Sequence, residues 1–167
     1  MLGLALAIML ANPAPSEAAE VESCNGGTIS LNTKEAEIFR QHNQIRRERN
    51  LKPYCVDPNL QKAARAHTND MLERGYFSHT TRGTGERPGA RIERYGYDWR
   101  SYGENIAWGS GPLGEPPRIM RAWMNSSGHR ANILDGGMTE IGIGAATGTY
   151  RGYDDATMYT VDFGRKR

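Results

Sequence analysis

The 167-residue sequence is poor in cysteine, with two in all. That excludes a disulfide-dense mini-protein, and Cys24 and Cys55 lack the C-x-x-C spacing of a zinc knuckle or thioredoxin-like site. It also lacks a dominant charge: 21 Lys and Arg stand against 19 Asp and Glu, a net +2. So even a balance argues against a dedicated nucleic-acid or membrane-surface binder. There is no internal repeat and no low-complexity stretch. Neither H-E-x-x-H nor G-x-S-x-G occurs, so no metalloprotease helix and no nucleophile elbow is announced. Histidine is scarce, with four residues. What remains, 38% hydrophobic and 24% charged, fits one globular domain.

The one long apolar run is at the start. Residues 1–10 (MLGLALAIML) are followed by small and Pro-rich residues 11–19. This reads as a secretory signal peptide over 1–18, cut after Ala18, although no Lys or Arg precedes the run. The run is too short for a bilayer span of about 20 residues; the alternative is an uncleaved anchor. Removing 1–18 takes away Glu17 and raises the net charge to +3. The rest is long enough to bury roughly 70% of its unfolded surface in one core. Outside the cytoplasm Cys24 and Cys55 can form a disulfide, contributing roughly 3–4 kcal/mol in the loop-entropy picture. The alternative is two free thiols.

Residues 19–35 read as a polar strap and 36–167 as the domain proper. Asn32 and Glu35 have capping-box spacing, predicting a helix from Thr33 to Asn50 with Ile38, Phe39, His42 and Ile45 on one face. Arg46, Arg47, Glu48 and Arg49 read as a solvated charge run. Asp57-Pro58 starts a second helix that ends at Gly75. Residues 78–90 are loop-like, and a short helix follows from Ala90 to Tyr95. A strand is expected over Glu104–Trp108 and a helix from Pro117 to Ser126. Gly128 interrupts that helix, and His129 to Leu134 forms a further turn. Strands follow over Glu140–Ala146, whose Gly142 and Gly144 face a close neighbour, and over Met158–Phe163. Helices first and strands late imply an α+β fold with an antiparallel-type sheet.

His42 and His67 lie on apolar helix stripes and read as buried, hydrogen-bonded histidines. His79 and His129 lie at helix ends, where polar groups can converge in a cleft. Glu104 shares a strand face with Ile106 and Trp108, and a buried carboxylate needs partners. Trp99, Trp108 and Trp123 read as cleft walls or core. Asn105 and Asn132 read as backbone-bonding residues, and Arg130 as the partner of an acid across the fold.

Several segments in order carry a family resemblance: His42-Asn43 with Arg46, Phe77-Ser78-His79, Gly103-Glu104-Asn105-Ile106-Ala107, Trp123 through Leu134, and Ile141-Gly142-Ile143-Gly144. Over about 36–164 the chain resembles the CAP superfamily of cysteine-rich secretory, antigen 5 and pathogenesis-related-1 proteins, in its bacterial secreted branch. The resemblance implies a three-layer α-β-α sandwich with a small central sheet. It also implies one cleft lined by two histidines and two acids, where several members bind a divalent metal. By position the histidines are His79 and His129 and the first acid is Glu104. The second acid's position holds Ser126, so the set is incomplete; Asn125 and Glu140 are candidates to compensate.

Two functions follow from these residues. The first is a secreted, monomeric binding module. Its cleft (His79, Glu104, Asn105, Ser126, His129) takes a lipid, peptide or other envelope ligand, or a divalent cation such as Zn²⁺ at His79 and His129. The second is a hydrolase using His79, Glu104, Ser126 and His129, with Ser127 as another nucleophile candidate, or a metal-bound water. A hydrogen-bonded cluster that only fixes loops is the structural alternative. Neither function involves nucleic acid or a transmembrane segment in the mature form.

Overall fold

The computed structural model describes residues 19–167; the leader expected over 1–18 lies outside the described residues. The expected strap is mostly a hairpin. Strand β1 (Ala19–Glu22) pairs antiparallel with β2 (Thr28–Leu31). Val21, Ile29 and Leu31 alternate with exposed polar residues, a strand pattern, and Leu31 enters the main core. A Cys24–Cys55 disulfide, with Cα atoms 5.1 Å apart, ties the hairpin to the domain.

Helix α1 (Thr33–Glu48) opens with the expected capping box: Asn32 accepts from the Lys34 and Glu35 N–H groups, and Glu35 accepts from Asn32. It buries Ile38 and His42. Arg46 departs from the solvated run expected of it. It is fully buried and donates to the carbonyls of Lys52, Ile133, Asp135 and Met138 and to the Tyr54 hydroxyl. Five acceptors and the Tyr54 ring, 3.9 Å from the guanidinium carbon, stand in for water. Arg47, Glu48 and Arg49 are exposed as expected.

Strand β3 (Cys55–Val56) precedes α2 (Pro58–Glu73), where Asp57 caps the Asn59 and Leu60 N–H groups. After the loop come α3 (Pro88–Arg94), β4 (Trp99–Ser110), a 3₁₀ turn at Gly111–Gly114, α4 (Pro116–Asn125), α5 (Ser127–Leu134), β5 (Glu140–Tyr150) and β6 (Tyr153–Lys166). The strands outrun their sequence patterns because β5 and β6 form one long hairpin. It turns at Arg151 and Gly152, both at positive φ. The break between α4 and α5 falls at the extended Ser126, not at Gly128, which lies inside α5.

The main sheet runs β3-β5-β6-β4, antiparallel except for the short parallel β3–β5 pair. On one face Ile141, Ile143, Tyr159, Val161 and Phe163 pack with Ile38, Ile119, Met120, Trp123 and Ile133 from α1, α4 and α5. On the other, Gly142 and Gly144 let the α2 backbone lie against the sheet. A Cβ at either position would overlap the Leu60 or Ala64 carbonyl. This gives the α-β-α sandwich. The Gln61 side chain bonds both backbone groups of Ile143 and seals the β5 edge beyond β3.

Candidate functional site

The β4–β6 register decides where Glu104 points. Glu104, Ile106 and Trp108 lie opposite Asp162, Thr160 and Met158. These residues therefore project to the α2 side, because directly opposed residues share a face. The Glu104 side chain is only 2% exposed. His79 Nδ1 donates to its Oε1 at 2.6 Å, and Arg91 donates to its Oε2. Arg91 also donates to the His79 carbonyl (3.3 Å) and the Thr81 hydroxyl (3.1 Å), so one side chain of α3 holds both the carboxylate and the loop that carries the imidazole. His67 Nε2 donates to the Ser78 carbonyl at 2.9 Å and fixes the same loop from α2.

His79 is thus oriented from beneath while its side chain stays 50% exposed. Because Nδ1 gives its hydrogen to a carboxylate, the neutral ring keeps its acceptor lone pair at Nε2. His129 comes from α5, which Asn105 and Asn132 join to β4. Asn105 Nδ2 donates to the His129 carbonyl at 3.0 Å. Asn132 Nδ2 donates to the Glu104 carbonyl at 3.2 Å and to Asn105 Oδ1 at 2.9 Å. Burial holds His129 below the usual imidazole range, and the nearby His79 adds to the effect.

The structure therefore brings His79 and Glu104 into contact and sets His129 near enough to His79 for their charges to interact. Asn105 is buried and serves the junction between α5 and β4. Ser126 is the hinge between α4 and α5, and Ser127 is exposed. Among the described residues neither serine hydrogen-bonds His129 or Glu104, so no Ser–His–Glu relay is assembled. Asn125 is exposed at the end of α4, and Glu140 accepts from the Tyr97 hydroxyl. Arg130 differs from its expectation: it donates to the Met124 carbonyl, in the preceding helix, and among the described residues it pairs with no acid. His42 is buried among Tyr54, Trp123 and Phe163, with Nδ1 donating to the Ile38 carbonyl. Trp123 is core, its indole N–H on the Ile106 carbonyl. Trp99 and Trp108 are half-buried, edge-on to Tyr102 and Tyr150.

Arg91 escaped the sequence reading. The available signal is the requirement that a buried carboxylate be paired, which the histidines already satisfy in the sequence. With both Glu104 oxygens committed, a cation at this site would find the His79 and His129 imidazoles. A ring whose other nitrogen is held by a carboxylate suits that role. Among the described residues no group of three or more His, Cys, Asp and Glu is arranged to hold a metal. The loop that carries His79 also lines a cavity of about 510 Å³ through Tyr76, Phe77, Ser78, Thr80 and Arg82, although His79 itself is not part of that lining.

Residues 39–163 match the cysteine-rich secretory protein (CAP) family. The chain is 35% identical over 134 residues to the uncharacterized protein YkwD of Bacillus subtilis, covering 80% of this chain and 51% of YkwD. It is 33% identical over 131 residues to the uncharacterized membrane protein YlbC of the same organism, covering 78% and 34%. It thus spans about half of the first relative and a third of the second. Among solved structures it resembles an extracellular SCP-domain protein of Bacillus anthracis, with TM-score 0.66 and 32% identity over 80% of this chain and 40% of the other. It also shares the fold of an outer surface protein of Borrelia burgdorferi, with TM-score 0.69 and 21% identity over 90% and 99%. Matching family, motif order and three-layer fold agree: the chain belongs to the cysteine-rich secretory protein (CAP) family.

Proposed function

We propose that this chain is a secreted, monomeric ligand-binding module whose cleft holds a small envelope-related ligand, first of all a peptide, against His79. The observation that carries the reading is the half-exposed imidazole fixed at Nδ1 by Glu104, itself fixed by Arg91. A rotor locked in this way binds with little loss of side-chain entropy. It offers Nε2 to a donor when neutral and an N–H to a carboxylate or carbonyl when protonated. The cavity on the same loop supplies the Phe77 ring, 38% exposed, with Ser78, Thr80 and Arg82, a lining suited to a short peptide with mixed polarity.

A divalent cation such as Zn²⁺ would be held by His79 and His129, and would supply a Lewis-acid anchor for an anionic end of the ligand. Secretion is supported by the Cys24–Cys55 disulfide, a bond of oxidising compartments, and by the extracellular and outer-surface character of similar proteins. No described helix is long and apolar enough to cross a membrane. The test is thermal melting of wild type and His79→Ala with envelope peptides, lipids and glycan fragments. A peptide-induced rise in Tm that His79→Ala abolishes supports the reading. No shift with any of the three classes removes its basis, and a shift with lipid alone replaces the peptide.

A further inference from the structure

Asp162 stands directly opposite Glu104 on the neighbouring strand, and the residue is 1% exposed. The two acids therefore share the sheet face that α2 and α3 cover. Among the described residues no protein group donates a hydrogen bond to either Asp162 oxygen. From β4 comes Glu104 and from α3 comes Arg91, whose guanidinium is already paired with Glu104. Directly opposite on β5 is Gly142, which has no side chain, and Glu140, two residues earlier on that face, accepts from the Tyr97 hydroxyl. On α2, His67 lies within the field of Arg91 and Glu104, and burial and Arg91 both disfavour its charged form. His79, on the far side of Glu104, lends its donor to Oε1. One buried cation thus faces two buried acids. A second negative charge here would have no counter-charge and no hydrogen bond, and an interior carboxyl so placed keeps its proton.

We propose that Asp162 is the second acidic group of this site and keeps its proton at neutral pH, acting beneath Glu104 as a positioning residue. The acid missing at Ser126 is then supplied from β6, behind the cleft. The Asp162 O–H is a donor, and the Glu104 carboxylate keeps lone pairs after accepting from His79 and Arg91. The pair carries one negative charge, matched by Arg91. Burial and the Glu104 carboxylate push the Asp162 carboxyl well above the usual carboxylate range, with Arg91 opposing.

The experiment reads no ligand, so its outcome is separate from that of the binding proposal. The assigned side-chain ¹³C carboxyl resonance of Asp162 is followed in the wild-type protein, and unfolding of wild type and Asp162→Asn is compared between pH 4 and 8. The unfolded aspartate ionises near pH ~3.9 while the folded one stays protonated. Wild type therefore binds more protons when folded and loses stability relative to Asp162→Asn as pH rises. A protonated carboxyl at pH 7, with a Tm gap in favour of Asp162→Asn that widens from pH 4 to 8, is the expected result. An ionised Asp162 at pH 7 overturns the proposal. The wild-type resonance decides alone if the Asn variant does not fold.

Discussion

His79 and Glu104 are joined by a 2.6 Å hydrogen bond from imidazole Nδ1 to carboxylate Oε1, between a half-exposed ring and a buried acid. The loop that carries His79 and the strand that carries Glu104 lie 25 residues apart in sequence. Arg91 makes the junction rigid, since it bonds the other carboxylate oxygen and the His79 carbonyl together. Orientation of the exposed ring therefore depends on a salt bridge that solvent does not reach.

Glu104→Gln tests that dependence. The substitution keeps the shape but removes the carboxylate paired with the Arg91 guanidinium, 2% exposed, and leaves only the buried Asp162 carboxyl to ionise in its place. Breaking a buried pair from one side costs about 3–5 kcal/mol. Urea unfolding should show a loss near the lower end, because the Gln carbonyl still accepts one hydrogen bond. An unchanged midpoint would mean that the pair contributes nothing net.

Cation binding is tested by Zn²⁺ titration of wild type, His79→Ala and His129→Ala in a calorimeter. With two imidazole ligands and Glu104 committed elsewhere, binding should be weak in wild type and lost in both variants. Tight binding that survives His129→Ala would place the ion elsewhere.

Trp123→Ala removes a side chain that is 2% exposed, packs on Tyr159 and donates to the Ile106 carbonyl. The expected loss is about 3–5 kcal/mol, read as a lower denaturant midpoint. Equal midpoints would contradict its place in the core.

His42 carries a pH signature. Full burial depresses its pKa from 6.5 to about 4, with the Ile38 carbonyl opposing and Arg46 reinforcing. A depressed histidine stays neutral in the folded protein while the unfolded chain takes up protons below about pH 6.5. Its contribution is therefore complete above pH 6.5 and is lost as pH falls toward 4, by about 3 kcal/mol at the limit. Asp162 acts in the opposite sense over that range, so the His42 effect is read as a difference. His42→Gln should lose less stability than wild type between pH 6.5 and 4, and parallel curves would sink the assignment.

Gly142→Ala probes the seat of α2. A Cβ there would meet the backbone of Leu60 and Gln61, which cannot turn aside as a side chain can. The helix must lift from the sheet, and the protein should melt several degrees lower or fail to fold. Gly128→Ala, inside α5 with open space around it, is the control and should be neutral or slightly stabilising.

Local signals in the sequence were legible where they concern neighbouring residues. The capping box of Asn32 and Glu35, the Asp57-Pro58 start, and the glycine face of Gly142 and Gly144 all stand as read. The strand lengths and the 19–32 hairpin were not, because pairing extends strands past the point where alternation fades. Arg46 illustrates the limit: five acceptors supplied from Lys52 through Met138 turn an ordinary surface residue type into a buried one.

By itself the sequence determined the family, the layer plan and the candidacy of His79, Glu104 and His129, since these depend on residue types and their order. The tertiary structure alone decided who pairs with whom. The β4–β6 register placed Asp162 under Glu104, α3 delivered Arg91 to both Glu104 and the His79 loop, and Ser126 became a hinge with no bond to the histidines. Electrostatic pairing acts over a few ångströms in space, and chain order does not specify that distance until the sheet register is set.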